Sequence, residues 1–310
     1  MFVLKPDTYR TPSYRIGPFQ TSDIAFNCNL PDDYRSLDYF SERFRDRKTI
    51  LTINGRAGIN LALSSYNLGK KDIVTILTTS QNFYISSCVT NEIEKFCRWN
   101  REITSETKVI LVNHEFGYPY QNMDQLMKLG IPVIEDCCTT FFSQDCNHQI
   151  GSYGDFAVYS FPKFFPLQIG GLLICNSSNK IRHKNRISQE EYNYILKVVS
   201  YYMANLEQLL TKREIVYSNA VHLAEKQGFS ERFEQKENIV PSVLLLRNHG
   251  IVKDLPALKT YLWEHGIHSS IFYGEDGFFI PCHQRLSMED LNYFFTVIKS
   301  FIEKESHDNR

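Results

Sequence analysis

The sequence predicts an α/β fold: a mostly parallel central sheet with helices on both faces, followed by a smaller C-terminal α+β unit. Three observations predict it. Short apolar, β-rich runs recur at residues 49–53, 72–78, 108–113, 131–134, 156–161 and 171–175. Helical patterns fall between some of them, at 59–66 and at 123–129, the second ended by Gly130. After about residue 188 the character changes. Tyr194, Ile195, Val198, Val199, Tyr202, Leu206, Leu209 and Leu210 recur at helical spacing with no proline to interrupt them, which predicts one or two long helices over 190–223. Strands over 239–248 and 267–282 then alternate with helices over 253–265 and 288–304. The first 48 residues are polar and aromatic with few periods and are expected to wrap the surface. The predicted division is a large α/β domain with its N-terminal arm at 1–190, and a long helix with a small α+β domain at 191–310.

Composition narrows the class. The 310 residues are 43% hydrophobic and 22% charged, ordinary for a soluble globular protein. A net charge of -1 gives no electrostatic argument for nucleic acid or an anionic membrane. The basic run Lys180–Arg186 reads as a solvated loop or an anion contact. No apolar run reaches the length of a membrane span, and the first seven residues carry no signal-peptide pattern. The eight cysteines lack framework spacing and include no CxxC pair. They read as reduced, buried thiols, with Cys88 and Cys175 in apolar strands, in a cytoplasmic protein. No metal site is expected.

The candidate chemistry lies in the middle of the chain. Val133-Ile134-Glu135-Asp136 is an apolar strand that delivers a carboxylate. Asp155 follows, and Tyr159-Ser160-Phe161-Pro162-Lys163 delivers a hydroxyl and an amine after another strand. An acid, a phosphate donor and an amine are what pyridoxal phosphate requires. Each group alone is common in α/β proteins. Asn54-Gly55-Arg56-Ala57-Gly58 sits between a strand and a helix, so its backbone N–H groups are available to a phosphate. Taken alone it reads first as a tight strand-to-helix turn. Tyr84 lies at a strand's C-terminal edge, where an aromatic either stacks on a flat cofactor or packs in the core. In Asn113-His114-Glu115-Phe116-Gly117, His114 and Glu115 have acid–base chemistry, but the turn formers around them favour a structural role.

The order of these motifs resembles the DegT/DnrJ/EryC1/StrS-type sugar aminotransferases, a branch of the fold-type I pyridoxal-phosphate-dependent enzymes. The resemblance runs from about residue 35 to 303. It rests on the turn 54–58, the aromatic pair Phe83-Tyr84, and His114-Glu115-Phe116-Gly117-Tyr118-Pro119. It continues through Pro132 to Asp136, Gly151-Ser152-Tyr153-Gly154-Asp155, Ser160-Phe161-Pro162-Lys163 before Gly170-Gly171, and Ile280-Pro281-Cys282-His283. The resemblance implies that Lys163 binds the cofactor covalently and shuttles a proton. It implies that Asp136 keeps the ring nitrogen protonated, and that Ser160 with the backbone of Gly55, Arg56 and Ala57 holds the phosphate. Tyr84 would cover the ring, and Asn185 would cross a homodimer interface to the partner's phosphate. The implied reaction is amino transfer from glutamate or a similar donor to a keto-sugar nucleotide.

The chain departs from the family pattern at several points. Arg56 replaces the usual threonine of the phosphate turn. Thr139 stands where the family has Gln or His near the cofactor, and Phe141 where a histidine follows. Lys163 lies three residues after Ser160 instead of five. These departures keep a second expectation open, a non-catalytic family member acting as a binding or scaffold protein. A different pyridoxal-phosphate reaction on a sugar nucleotide is a third, against which the lysine itself argues.

Overall fold

Strand β1 (Arg47–Thr52) opens a seven-stranded sheet completed by β2 (Ile73–Thr78), β3 (Arg98–Asn100), β4 (Thr107–Asn113), β5 (Val133–Asp136), β6 (Phe156–Ser160) and β7 (Gly171–Asn176). The chain is seen in a computed structural model that describes residues 14–176 and 181–308. The N-terminal residues read for a targeting signal, and Lys180 of the basic run, lie outside the described residues. The strand order is β1-β7-β6-β5-β4-β2-β3. From β3 to β6 every neighbour is parallel. β7 runs antiparallel to both β6 and β1, so β1 and β6 point the same way.

The sheet is buried on both faces, as its continuous apolar strands require. Period-2 alternation sends Phe156 and Val158 of β6 into one core and Ala157 and Tyr159 into the other. The first core is closed by α3 (Gly55–Leu63) and α4 (Ser87–Glu94), through Ile59, Ala62, Val89 and Ile93. The second is closed by α2 (Arg35–Arg43) and α6 (Gln189–Met203), through Phe40, Ile195, Leu196 and Val199. A short α1 (Asp23–Asn29) precedes α2, and α5 (Met123–Met127) lies between β4 and β5.

The second sheet is antiparallel, in the order β10-β11-β9-β8, from β8 (Ser230–Glu231), β9 (Val243–Arg247), β10 (Ser270–Ile271) and β11 (Gly277–Pro281). It packs with α7 (Leu206–Glu225), α8 (Leu255–Glu264) and α9 (Met288–Asp308) around Ala220, Leu244, Leu246, Phe278, Ile280, Phe294 and Ile298.

Several expectations shift. The helical stretch 190–223, expected as one or two helices, is two, broken at Ala204–Asn205: Ile195, Val199 and Leu209 join the core of the large sheet, Val216 and Ala220 that of the small one. The strand expected over 267–282 is a hairpin turning at Gly274 (φ +97°). The N-terminal region contains α1 and α2, and α4 and β3 are elements with no clear signal in the sequence. Cys88 is exposed at the start of α4, not in a strand. All eight thiols are free, but Cys28, Cys88 and Cys146 are exposed.

Gly151 shows why small residues recur beside the sheet. It has φ +86°, and a Cβ there would lie 1.9 Å from the hydroxyl of the fully buried Tyr159. Gly151→Ala is expected to cost about 3 kcal/mol, combining left-handed strain with overpacking. A fall in the urea midpoint at unchanged m-value checks it.

Candidate active site

Parallel strands release their chains at one common edge, and ligands of open α/β sheets sit there. Here that edge collects the groups singled out in the sequence. β1 leads through Asn54 into α3, β4 ends at Asn113, β5 ends at Asp136, and β6 ends at Ser160, followed by a 3-10 turn over Phe161–Lys163.

The start of α3 is built for an anion. Asn54 caps it, its side-chain Oδ1 accepting from Ala57 N at 2.9 Å. The N–H groups of Gly55 and Arg56 have no partner among the described residues and sit at the positive end of the helix. Glycine is demanded at 55 by space. A Cβ there would lie 2.6 Å from Cys138 Sγ and 3.5 Å from Ser160 Cβ. That approach brings the helix start, the segment after Asp136 and the end of β6 into contact. The Ser160 hydroxyl, on the rim of this cradle, has no hydrogen bond among the described residues.

Asp136 is 3% exposed and held in position. Its Oδ2 accepts from Asn113 Nδ2 at 2.8 Å and its Oδ1 from Cys138 N at 3.1 Å. Burial and the Asp136 charge raise the Cys138 thiol well above the usual range, while the charge of Lys163 acts the other way. The same thiol therefore feels the aspartate and the lysine. Lys163 is half-buried, and its Nζ has no hydrogen bond or ion pair among the described residues. The main chain around it is fixed. Phe164 N donates to Phe161 O at 2.9 Å, and Gly17 of the N-terminal arm passes so close that a Cβ there would meet Pro162 O at 2.2 Å. The three-residue spacing from Ser160 thus places Lys163 in the fixed turn that follows β6.

These groups fit pyridoxal phosphate: unspent N–H donors and a hydroxyl for the phosphate, a buried carboxylate for the ring nitrogen, and an unpaired amine for the aldehyde.

Other predicted site residues are placed differently. The Ala57 N–H is taken by its cap, Asn54, which leaves Gly55 and Arg56 as the backbone donors. The Arg56 side chain is exposed to solvent. The Thr139 hydroxyl donates to His114 O at 2.8 Å, which ties one loop to the next. Tyr84 packs among Phe116, Phe272, Phe279 and Tyr273, with ring centroids 5.5–6.5 Å away, so its ring bridges to the small sheet. Asn185 donates to Leu51 O of its own chain at 2.7 Å, and that bond occupies the side chain assigned to the partner's site.

His114 has the structural role expected of it. Its Nδ1 accepts from Tyr120 N at 3.0 Å, which leaves Nε2–H facing Glu135 Oε2 at 3.3 Å. Glu135 also accepts from Gly151 N and Gly154 N, both at 2.9 Å. His114, Glu135 and Cys137 come within 4.8 Å of one another, but these bonds already engage both imidazole nitrogens and both carboxylate oxygens.

Glu115 is different. It is 2% exposed, one oxygen accepts from Ser80 N at 2.6 Å, and Oε1 has no partner among the described residues. Burial pushes its carboxyl from 4.5 up to about 7, against the Ser80 hydrogen bonds and the Arg101 charge. The folded chain therefore holds this proton more tightly than the unfolded one. Stability is expected to fall as pH rises from about 4.5 to 7 and then level off. Glu115→Gln should match the native chain at pH 4.5 and exceed it at pH 8 by about 2 kcal/mol. Urea titrations at the two pH values check this.

Asn113 and Cys138 were not singled out as partners of Asp136. The signal was weak: two polar ends of successive strands, whose pairing Asn113↔Asp136 only the sheet register reveals.

The architecture is that of the fold-type I pyridoxal-phosphate-dependent transferases. The aminotransferase TlmJ from Streptoalloteichus hindustanus superposes with a TM-score of 0.71 at 14% identity, over 94% of this chain and 99% of that one. Solved structures of the same fold include forms holding pyridoxal phosphate and pyridoxamine phosphate. Residues 96–191 match the model of the DegT/DnrJ/EryC1/StrS aminotransferase family. Two curated relatives align. GDP-perosamine synthase from Escherichia coli O157:H7 is 27% identical over 159 residues, 44% of this chain and 43% of that one. A dTDP-3-amino-3,6-dideoxy-alpha-D-galactopyranose transaminase from Aneurinibacillus thermoaerophilus is 24% identical over 286 residues, 80% of this chain and 77% of that one. The first alignment thus spans less than half of that relative.

Proposed function

We propose that this chain is a pyridoxal-phosphate-dependent aminotransferase that moves an amino group, from glutamate or a similar donor, to a keto-sugar nucleotide. The observation that carries the reading is the convergence of the α3 N-terminus, Asp136 and Ser160 at one sheet edge, with Lys163 in the turn that follows β6 and its charge acting on Cys138 beside Asp136. The two curated relatives, named for making amino sugars on nucleotide carriers, support the substrate class.

Bound there, the cofactor supplies an electron sink for the carbon that carries the amine. The protein does the rest. Gly55 N, Arg56 N and Ser160 Oγ would grip the phosphate. Asp136, braced by Asn113 and Cys138 N, would hold a proton on the ring nitrogen. Lys163 Nζ would anchor the aldehyde and then carry the proton to and from the reacting carbon.

We place the enzyme in the cytoplasm, a setting that suits eight free thiols, three of them exposed. No helix among the described residues is long and apolar enough to cross a membrane. We also propose a homodimer. Much of the Tyr194–Leu210 stretch, including Ile195, Leu196, Val198, Val199 and Leu209, is buried in the chain's own core, so Tyr201, edge-on to the exposed Phe26, is the exposed aromatic of that stretch left to meet a partner. Light scattering that returns a monomer able to bind cofactor tightly would remove the shared-site model.

The decisive assay loads the protein with pyridoxamine phosphate and adds acceptors. Uridine- or thymidine-diphosphate keto-sugars should restore the visible absorbance of the aldehyde form, and pyruvate or oxaloacetate should do so poorly. The reverse ranking would overturn the sugar assignment and leave the cofactor assignment standing. A second reading, a non-catalytic binding protein, is favoured by the engaged Ala57 N–H and Thr139 hydroxyl. Failure to take up the cofactor at all would establish it.

A further inference from the structure

Arg213 of α7 is 3% exposed and has no carboxylate partner among the described residues. Its Nη donors go to uncharged oxygens, and Nε has no hydrogen bond among the described residues. Nη1 donates to Gln284 Oε1 at 2.8 Å, and Nη2 donates to Pro241 O at 2.9 Å and, more weakly, to Cys282 O at 3.5 Å. Its guanidinium lies 4.9 Å from the centroid of the Phe164 ring, within cation–π range. Gln284, held by that guanidinium, donates its Nε2 to Phe164 O at 2.8 Å. Phe164 follows Lys163 directly, is fully buried, and closes the lysine's turn through its own N–H to Phe161 O.

A buried guanidinium without a counter-charge is costly, and apolar side chains of similar volume usually fill such places at no loss of stability. Arg213 gives what an apolar residue would not: a planar fork that fixes Gln284 while its face covers the phenyl ring. Arg213 and Gln284 thereby hold the ring and carbonyl of Phe164, and Phe161 O holds its amide. Gly17 against Pro162 O holds the residue on the other side of the lysine.

We propose that Arg213 and Gln284 form a clamp through which α7 and the segment after β11 set the position of Lys163. They are positioning residues that act through Phe164. The proposal rests on the functional reading above in assigning the lysine a cofactor, but the clamp itself has a consequence that needs none.

Three measurements on the full chain test it, with Arg213→Met and Gln284→Leu as variants. In the cofactor-free protein, amide exchange at Phe164 and Phe165 should quicken at least tenfold in both variants, with the β4 amides unchanged. Borohydride-trapped attachment of pyridoxal phosphate to Lys163 should slow at least tenfold. The dissociation constant of pyridoxamine phosphate, which carries no aldehyde and needs no lysine, should stay within threefold of the native chain. Arg213→Lys, which keeps the charge but not the fork, should fall between. Unchanged exchange at Phe164 and Phe165 overturns the clamp, and so does an equal loss of affinity for both cofactor forms, which would mark general loosening. If the native chain takes up neither form, the functional reading fails, and the exchange measurement alone still decides the clamp. Gln284→Leu removes no charge, so it keeps the test available if Arg213→Met does not fold.

Discussion

Lys163→Ala is expected to abolish amino transfer, with turnover falling about 10³-fold or more, a barrier increase of roughly 4 kcal/mol. The amine has two tasks in the proposed reaction, anchoring the aldehyde and carrying the proton, and no other lysine is placed at the end of β6. The alanine variant should still bind pyridoxamine phosphate, because Gly55 N, Arg56 N, Ser160 and Asp136 remain. Borohydride reduction and peptide mapping of the native chain should place the pyridoxyl group on Lys163. Label on another lysine would move the assignment, and full activity in the alanine variant would remove it.

Asp136→Ala should lower half-transamination ~10- to 100-fold, about 1.4–2.8 kcal/mol in the barrier. The carboxylate is buried, so its charge would act on a bound ring nitrogen with little screening by water. Its two hydrogen bonds, from Asn113 and Cys138 N, keep it aimed. Asp136→Asn separates charge from shape, since the amide preserves volume and loses the negative charge. Asp155→Ala is the control. Asp155 accepts from Tyr66 OH at 3.2 Å and sits at the start of β6, at the sheet edge opposite the site. Equal losses at 136 and 155 would show that the wrong carboxylate had been chosen.

The sequence by itself determined the sheet and its chemistry-bearing ends. The runs at 72–78, 108–113, 156–161 and 171–175 became β2, β4, β6 and β7 within a residue or two, because strands buried on both faces must be apolar throughout and stop where polar residues begin. Parallel pairing then places their carboxyl ends at one edge, where Asp136 ends β5 and Lys163 follows the adjacent β6. The motif order supplied the family resemblance, and the match of residues 96–191 to that family's model agrees with it.

Only the tertiary structure decided which of the nearby polar groups are still free. Whether Ala57 N–H faces a ligand or its own cap depends on the rotamer of Asn54, and whether Asn185 reaches outward depends on the carbonyl of Leu51. Local pattern carries neither. Tyr84 met the small sheet, and Arg213 met Phe164, across separations of roughly 190 and 50 residues. Those contacts follow from how two separately patterned cores dock. The place of the break at Ala204–Asn205 was equally hidden, since helical spacing continues through the stretch while its apolar residues pass from one core to the other. Periodicity shows that a face is buried. Which surface buries it, and which hydrogen bonds remain unspent there, is fixed only when the elements pack.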